Sequence, residues 1–283
     1  MSMEDKICMI TGANSGIGKA TVIGLAKLNA TVIMVCRNKE RGELARNEII
    51  TQTGNKNIDL FLCDLSSLEQ IRKLVAEFKE KYQNLHILIN NAGVMLKKRI
   101  LSVDGFEMNF AVHVLAPFLL TNLLLDVLRK SAPSRIINVA SAAHKRAKMD
   151  FDDLQSENKK YRLFTVYGIS KLAEMLFTYE LSRKIDGTGV TANAVHPGVV
   201  NTNLGRDQSK FSQWFARKFF KSPEEGAQTS KYLASSPEVE GITGKYFVNK
   251  QPKQSSEESY SLEYAEKLWK FCKEMTKLNI YQD

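Results

Sequence analysis

A tyrosine and a lysine stand four residues apart in Tyr167-Gly168-Ile169-Ser170-Lys171, a spacing that puts both side chains on one helix face, one turn apart. A free phenol ionises near about pH 10, too high for efficient proton shuttling near neutrality, and a neighbouring ammonium favours the phenolate. Such a pair can act as a general acid/base. The same spacing also arises on amphipathic helices that carry no chemistry, so the pair takes its meaning from what surrounds it. Ser141 lies upstream and adds a hydroxyl.

The elements that would position these groups begin at the N-terminus. Lys6 to Ile10 reads as a short buried strand, and Thr11-Gly12-Ala13-Asn14-Ser15-Gly16-Ile17-Gly18 follows it, leading into a helix over Lys19 to Leu28. A strand, a glycine-rich turn and a helix start can present backbone N–H groups to a pyrophosphate. Without a cofactor the same turn would be a tight connection only. The second strand, Ala30 to Val35, ends in Cys36-Arg37-Asn38-Lys39. An acidic residue at that tip selects NAD, and an arginine accommodates a 2′-phosphate. Arg37 stands there with Asn38 beside it, and Lys39 and Arg41 add positive charge, so the pattern predicts NADP(H). The alternative is a solvated basic turn.

The joint order of these motifs resembles the short-chain dehydrogenase/reductase family, and local wording is closest to its retinol dehydrogenase-like branch. The resemblance rests on Thr11-Gly12-x-x-x-Gly16-x-Gly18, Asp64-Leu65, Asn90-Asn91-Ala92-Gly93, Ser141, Tyr167-x-x-x-Lys171 and Pro197-Gly198-x-Val200-x-Thr202. It implies an oxidoreductase that moves a hydride between NADP(H) and a carbonyl/alcohol pair. Tyr167 would exchange the proton, Lys171 would favour the phenolate and hold the nicotinamide ribose, and Ser141 would bond the substrate oxygen. The cofactor would lie along Gly12, Asn14, Ser15, Gly16, Ile17 and Gly18, with Asp64 and Leu65 at the adenine. Asn91 would meet the adenosine ribose and Thr202 the nicotinamide carboxamide, with Ala92, Gly93, Pro197, Gly198 and Val200 also binding the cofactor. Asn90 and Asn91 could equally brace a turn, and Thr202 could cap a helix.

One position departs from the family pattern. His113, in Val112-His113-Val114-Leu115-Ala116-Pro117-Phe118, stands where the family carries an asparagine that completes a proton relay to the lysine. A histidine there could preserve the relay, replace it, break it, or sit as a neutral core residue. The expectation is that His113 retains activity and alters its pH profile. Pro117 lacks an N–H and deprives the His113 carbonyl of its helical partner, which predicts a kink near the site.

The 283 residues, 43% of them hydrophobic, suffice for one large domain. Further strands over Ile58 to Cys63, Ile87 to Asn90, Arg135 to Ala140 and Val190 to Val195 alternate with helices. This predicts a single α/β domain: a Rossmann-type, doubly wound parallel sheet with helices on both faces and the site at a strand-order switch. Cys8, Cys36, Cys63 and Cys272 lack metal-ligand spacing, and no secretory segment suggests disulfides, so they are expected to be reduced, mostly buried thiols of a cytoplasmic protein. No signal peptide and no 18-residue apolar run for a membrane span are read from the sequence.

The formal charge of +9 fits a phosphorylated cofactor, and no motif for nucleic acid accompanies it. Phe211, Trp214, Phe215, Lys218 and Phe219 fall at near-helical spacing in the segment 203–221. That segment is expected to be a lid over an apolar substrate, with weak peripheral membrane contact as a second expectation and ordinary packing as the alternative. The extension 255–283 should carry a helix from Leu262 to about Leu278, with Leu268, Phe271, Cys272 and Met275 as its apolar stripe. A homodimer through the apolar helix Phe118 to Leu128 is a fold-level expectation. The substrate expected is retinoid-like, steroid-like or a medium-chain aldehyde or ketone. A sensor that binds NADP(H) without turnover, or a double-bond reductase of the porphyrin-reducing kind, are the alternatives.

Overall fold

The computed structural model describes residues 2–200 and 221–278. Apolar runs build the sheet first. β1 (Ile7–Thr11), β2 (Thr31–Cys36), β3 (Ile58–Leu62), β4 (Ile87–Asn90), β5 (Ser134–Val139) and β6 (Val190–His196) are rich in β-branched and aliphatic residues. Strands buried on both faces read as continuous apolar runs, because helices cover each side of a parallel sheet. Two short strands, β7 (Tyr246–Val248) and β8 (Gln251–Lys253), complete an eight-stranded sheet in the order β3-β2-β1-β4-β5-β6-β7-β8. Every pairing is parallel except β7 with β8. The parallel sheet expected from the sequence is therefore corrected at one edge. The edge strands were missed because each is only three residues long, too short for a period-2 pattern to register.

Helices cover the sheet where caps and apolar stripes direct them. α1 (Gly16–Ala26) starts three residues earlier than the sequence suggested, inside the glycine turn. α2 (Lys39–Thr53) is capped by the Asn38 side chain, which accepts from the Arg41 N–H, and stops at Gly54 in the left-handed region at φ 73°. α3 (Leu68–Lys81) is capped by Ser67 and buries Ile71, Leu74, Val75 and Phe78, one stripe at helical spacing. A short α4 (Met108–Phe110) runs through a π-helical turn (Ala111–Leu115) into α5 (Ala116–Lys130). The kink expected at His113 thus takes the form of a π-turn, in which the Ala116 N–H bonds the Ala111 carbonyl.

α6 (Leu163–Lys184) follows a 3-10 turn over Ala142–Arg146. α7 (Pro223–Ser235) opens on a capping box of Ser222 and Glu225. α8 (Leu262–Met275) packs on α6 through Ala265, Leu268 and Cys272, and ends short of Leu278.

Met108–Lys130 is long and apolar enough to cross a membrane by length and hydropathy, which corrects the sequence reading that no such run exists. Most of its apolar stretch is buried within the protein, where Phe118, Leu119, Leu120 and Leu124 fill the core beneath the sheet.

The chain runs outward from β1 through β2 to β3, then returns to β4 on the other side of β1. This reversal opens a crevice at the carboxyl ends of β1 and β4, where ligands bind in such sheets. Thr11 ties the two ends together, because its Oγ accepts from the N–H groups of Asn91 (2.9 Å) and Ala92 (3.0 Å).

Candidate active site

The glycine turn is shaped by what a Cβ would meet. Gly12 has φ 66°, and a Cβ there would sit 2.9 Å from the Cα of Ala92. At Gly18 a Cβ would overlap the Gly12 carbonyl oxygen and lie 2.6 Å from Asn91 Nδ2. Glycine is thus required for α1 to pack this closely on the turn. Ser15 forms the N-cap of α1 without a side-chain capping bond. The start of α1 offers backbone N–H groups and the positive end of the helix dipole to an anion. The fit to a dinucleotide pyrophosphate rests on these features.

A cavity of about 700 Å³ opens over the turn, within the usual range for small-molecule and cofactor sites. Its walls include Gly12, Asn14, Ser15, Gly16, Ile17 and Gly18, then Arg37, Asn38, Asp64 and Leu65, then Asn91, Ala92 and Gly93. His113, Tyr167, Lys171 and Pro197 line the same space.

Several of these polar side chains are already engaged within the protein. Asn38 spends its side-chain oxygen on the α2 cap. Asn91 directs its amide nitrogen to the carbonyls of Thr11 (2.8 Å) and Gly12 (3.4 Å), and so braces the turn. Asn90 sits beneath, bridging Thr121 and Asn138. Arg37 is exposed and lies 4.0 Å from Asp64, whose other oxygen accepts from Ser66. Arg41 also lines the cavity.

Gly198 and Val200 are not among the lining residues. Gly198 takes φ 91° beside the Lys221 side chain. Val200 packs against Ile17, Ala20 and Ala227, and so supports the glycine turn from behind. Thr202 and the segment 203–220 lie outside the described residues.

The proton-transfer groups stand on α6. Lys171 Nζ is 5.9 Å from the centroid of the Tyr167 ring. Nζ donates to the Val139 carbonyl (2.9 Å) and to Glu174 Oε2 (2.8 Å). Burial opposes the charge of Lys171, but Glu174 and Tyr167 outweigh it and hold the ammonium above the ordinary lysine value. For Glu174, burial dominates and pushes the carboxyl up to about 7, with Lys171 pulling the other way.

His113 is wholly buried and both ring nitrogens are engaged. Nε2 accepts from the Val94 N–H (3.0 Å), which assigns the ring proton to Nδ1, 2.8 Å from Ser170 Oγ. Ser170 in turn donates to the Tyr167 carbonyl (2.8 Å). Desolvation, then the charge of Lys171, drive the imidazole well below the usual histidine range, so the ring is neutral. It meets the Tyr167 ring edge-on at 5.5 Å.

Ser141 follows β5 and caps the 3-10 turn, accepting from the Ala143 N–H at 3.2 Å. It is not among the residues lining the cavity. α6 nevertheless comes close to this turn, because a Cβ at Gly168 would be 3.2 Å from the Ala143 carbonyl oxygen. Two neutral histidines pin the turn. His144 Nδ1 donates to the Ser141 carbonyl (2.5 Å) while its Nε2 accepts from the Ser256 N–H (3.2 Å). His196 Nδ1 accepts from the Ala142 N–H at 3.3 Å. Burial, followed by the charges around it, lowers His196 to about 4.

A short chain dehydrogenase profile matches residues 6–213. The chain belongs to the short-chain dehydrogenase family. It is 46% identical over 276 residues to human retinol dehydrogenase 13, covering 95% of this chain and 83% of that protein. It is 42% identical over 295 residues to human retinol dehydrogenase 14, covering 98% and 88%. A crystal structure of an uncharacterised Mycobacterium paratuberculosis protein superposes with a TM-score of 0.81 at 31% identity, covering 99% of this chain and 97% of that one. The Pseudomonas aeruginosa RhlG/NADP active-site complex shares the fold at TM-score 0.72 and 24% identity, covering 91% and 98%. This family member is an oxidoreductase with retinol dehydrogenase-like relatives.

The sequence reading missed Glu174, the part of the cavity wall formed by Val94, Met95, Leu96, Lys97 and Lys98, and His144 and His196 behind Ser141. Glu174 carried a legible signal, since it lies three residues after Lys171 and so on the same helix face. The wall and the histidines carried none, because their places depend on contacts between distant segments.

Proposed function

We propose that this oxidoreductase uses NADP(H) to interconvert an alcohol and its carbonyl on a small apolar substrate, with Tyr167 as general acid/base. The observation that carries the reading is the presence of Tyr167, Lys171 and the glycine turn in one cavity. Bound there, the nicotinamide group supplies the hydride or takes it up. The glycine turn and the α1 N-terminus would hold the pyrophosphate, and Arg37 with Arg41 would face the 2′-phosphate. Lys171 sets its positive charge beside the Tyr167 ring, and the Tyr167 Oη would give or receive the proton of the substrate oxygen. Ser141, at the end of β5, would bond that oxygen. His113 serves as a brace: its neutral ring joins the Val94 backbone to Ser170 and so fixes α6 against the cavity wall.

The relatives named retinol dehydrogenases, similar over nearly the whole chain, favour a retinoid-like alcohol or aldehyde. Four unpaired, buried cysteines support a reducing compartment such as the cytoplasm. The test is NADPH consumption by the purified protein against apolar aldehydes, ketones and an enone, with Tyr167→Phe alongside. Turnover on an aldehyde or ketone that Tyr167→Phe abolishes is the expected result. Turnover indifferent to that substitution rejects the mechanism. Consumption with the enone alone points to a double-bond reductase, and NADPH binding without turnover points to a sensor.

A further inference from the structure

Lys171 carries a partner that the Tyr-x-x-x-Lys arrangement does not require. The side chains of Lys171 and Glu174 are only 5% and 2% exposed, and their charged atoms meet at 2.8 Å. Apart from Glu174, Nζ bonds the uncharged carbonyl of Val139. A fully buried lysine without a counter-charge tends to shed its proton, and a buried carboxylate without a cation tends to gain one. The pair is held in a frame. Thr178 Oγ donates to the Glu174 carbonyl (2.7 Å) and accepts from Asn138 Nδ2 (2.9 Å), which ties this turn of α6 to β5. The ionisable groups coupled to the pair are Tyr167 on the same helix and His113 on the π-turn, the latter neutral. β5 meets it with the Val139 carbonyl directly and with the Asn138 amide through Thr178, neither of them charged.

We propose that Glu174 is the buried counter-ion of Lys171, a positioning residue that fixes both the place and the charge of the lysine beside Tyr167. The inference rests on the proton-transfer reading of Tyr167 and Lys171 given above. Glu174 is too buried to pass protons to solvent, so its action is electrostatic. Removing its charge while keeping its shape takes away the larger of the two groups that oppose desolvation at Lys171, leaving only Tyr167. The ammonium then loses its proton at lower pH, and the Tyr167 phenolate loses its positive neighbour.

The test is an NMR titration of the lysine side chains in isotope-labelled protein, with Lys171→Met assigning the Lys171 signal. In the unaltered protein that signal should remain an ammonium's through mildly alkaline pH. In Glu174→Gln it should titrate at least about one pH unit lower. The limb of kcat/KM for alcohol oxidation that rises with pH should move to higher pH in Glu174→Gln. Glu174→Asp keeps the charge but withdraws it by one methylene, and should fall between the two. Where Glu174→Gln does not fold, the Asp variant decides alone. An unchanged Lys171 titration overturns the proposal whatever the activity does. A limb that moves to lower pH also overturns it, because Glu174 would then merely damp the lysine. If the unaltered protein turns over no alcohol, the proton-transfer reading fails, while the titration still decides the role of Glu174.

Discussion

The two halves of the cavity are built from opposite materials. At the cofactor end, around Gly12 and Gly18, the surface is backbone, and it works because side chains are missing. At the proton-transfer end, Lys171, Glu174, His113 and Ser170 are buried polar side chains held by one another. The first half is sensitive to any atom added. The second is sensitive to any polar atom removed, because a buried group that loses its partner is left desolvated and unpaired. The difference shows that one site can be specified by close approach at one end and by hydrogen-bond satisfaction at the other.

The largest expected effect falls in the second half. Tyr167→Phe removes one oxygen and should lower kcat by about 10²–10⁴-fold, the usual contribution of a general acid/base, while NADPH binding by calorimetry is retained. A loss of binding as large as the loss of rate would erase the distinction between the halves. At the cofactor end, Arg37→Ala should weaken NADPH by about 1.5–3 kcal/mol, the range for hydrogen bonds to charged groups, and leave NADH nearly unchanged. Equal losses for both cofactors would remove Arg37 from the phosphate site.

Gly18→Ala adds the smallest side chain where the Gly12 carbonyl oxygen leaves no room. It should cost about 1–3 kcal/mol of stability in urea unfolding, as overpacking does, and weaken both cofactors alike. An unchanged urea midpoint would contradict the close approach. The smallest effect belongs to His113→Asn, which gives up the Ser170 bond for about 1 kcal/mol.

The histidine substitution also has a pH signature. His113 in the folded protein is held well below its ordinary value of 6.5 by burial and then by Lys171. The unfolded chain therefore binds a proton near 6.5 that the folded chain refuses, and stability is lost as pH falls below that value. His113→Asn should make the fall shallower by up to about 1.4 kcal/mol per pH unit. His86, His144 and His196 are lowered in the same sense, so part of the slope will remain. The kcat profile near neutrality should keep its shape, because a neutral, doubly bonded ring has no proton to exchange there. A profile that shifts would restore a relay role to His113.

Much of the fold was legible because it is local. Six strands announced themselves as apolar runs between turns, and the glycine turn followed the first of them. The short strands β7 and β8 were not legible, since three residues show no period. The apolar run through Phe118 was also misjudged. Hydropathy alone does not separate a helix that covers a sheet from one that faces lipid, and only its burial in the core makes the distinction here. Within the site, spacing placed Tyr167 and Lys171 together. The same spacing rule would have added Glu174, had the turn after Lys171 been read for charge.

The sequence by itself determined the residue types, their order and the helix face shared by Tyr167, Lys171 and Glu174, because helical periodicity is a local property of the chain. Tertiary structure alone decided three other matters. It tied up the amides of Asn38 and Asn91 in caps and turns. It turned Val200 away from the cavity and into the packing behind α1. And it made His113 a neutral, fully bonded ring rather than a free imidazole. Hydrogen-bond partners and desolvation set these outcomes, and both depend on segments far apart in the chain that meet only when the sheet is assembled.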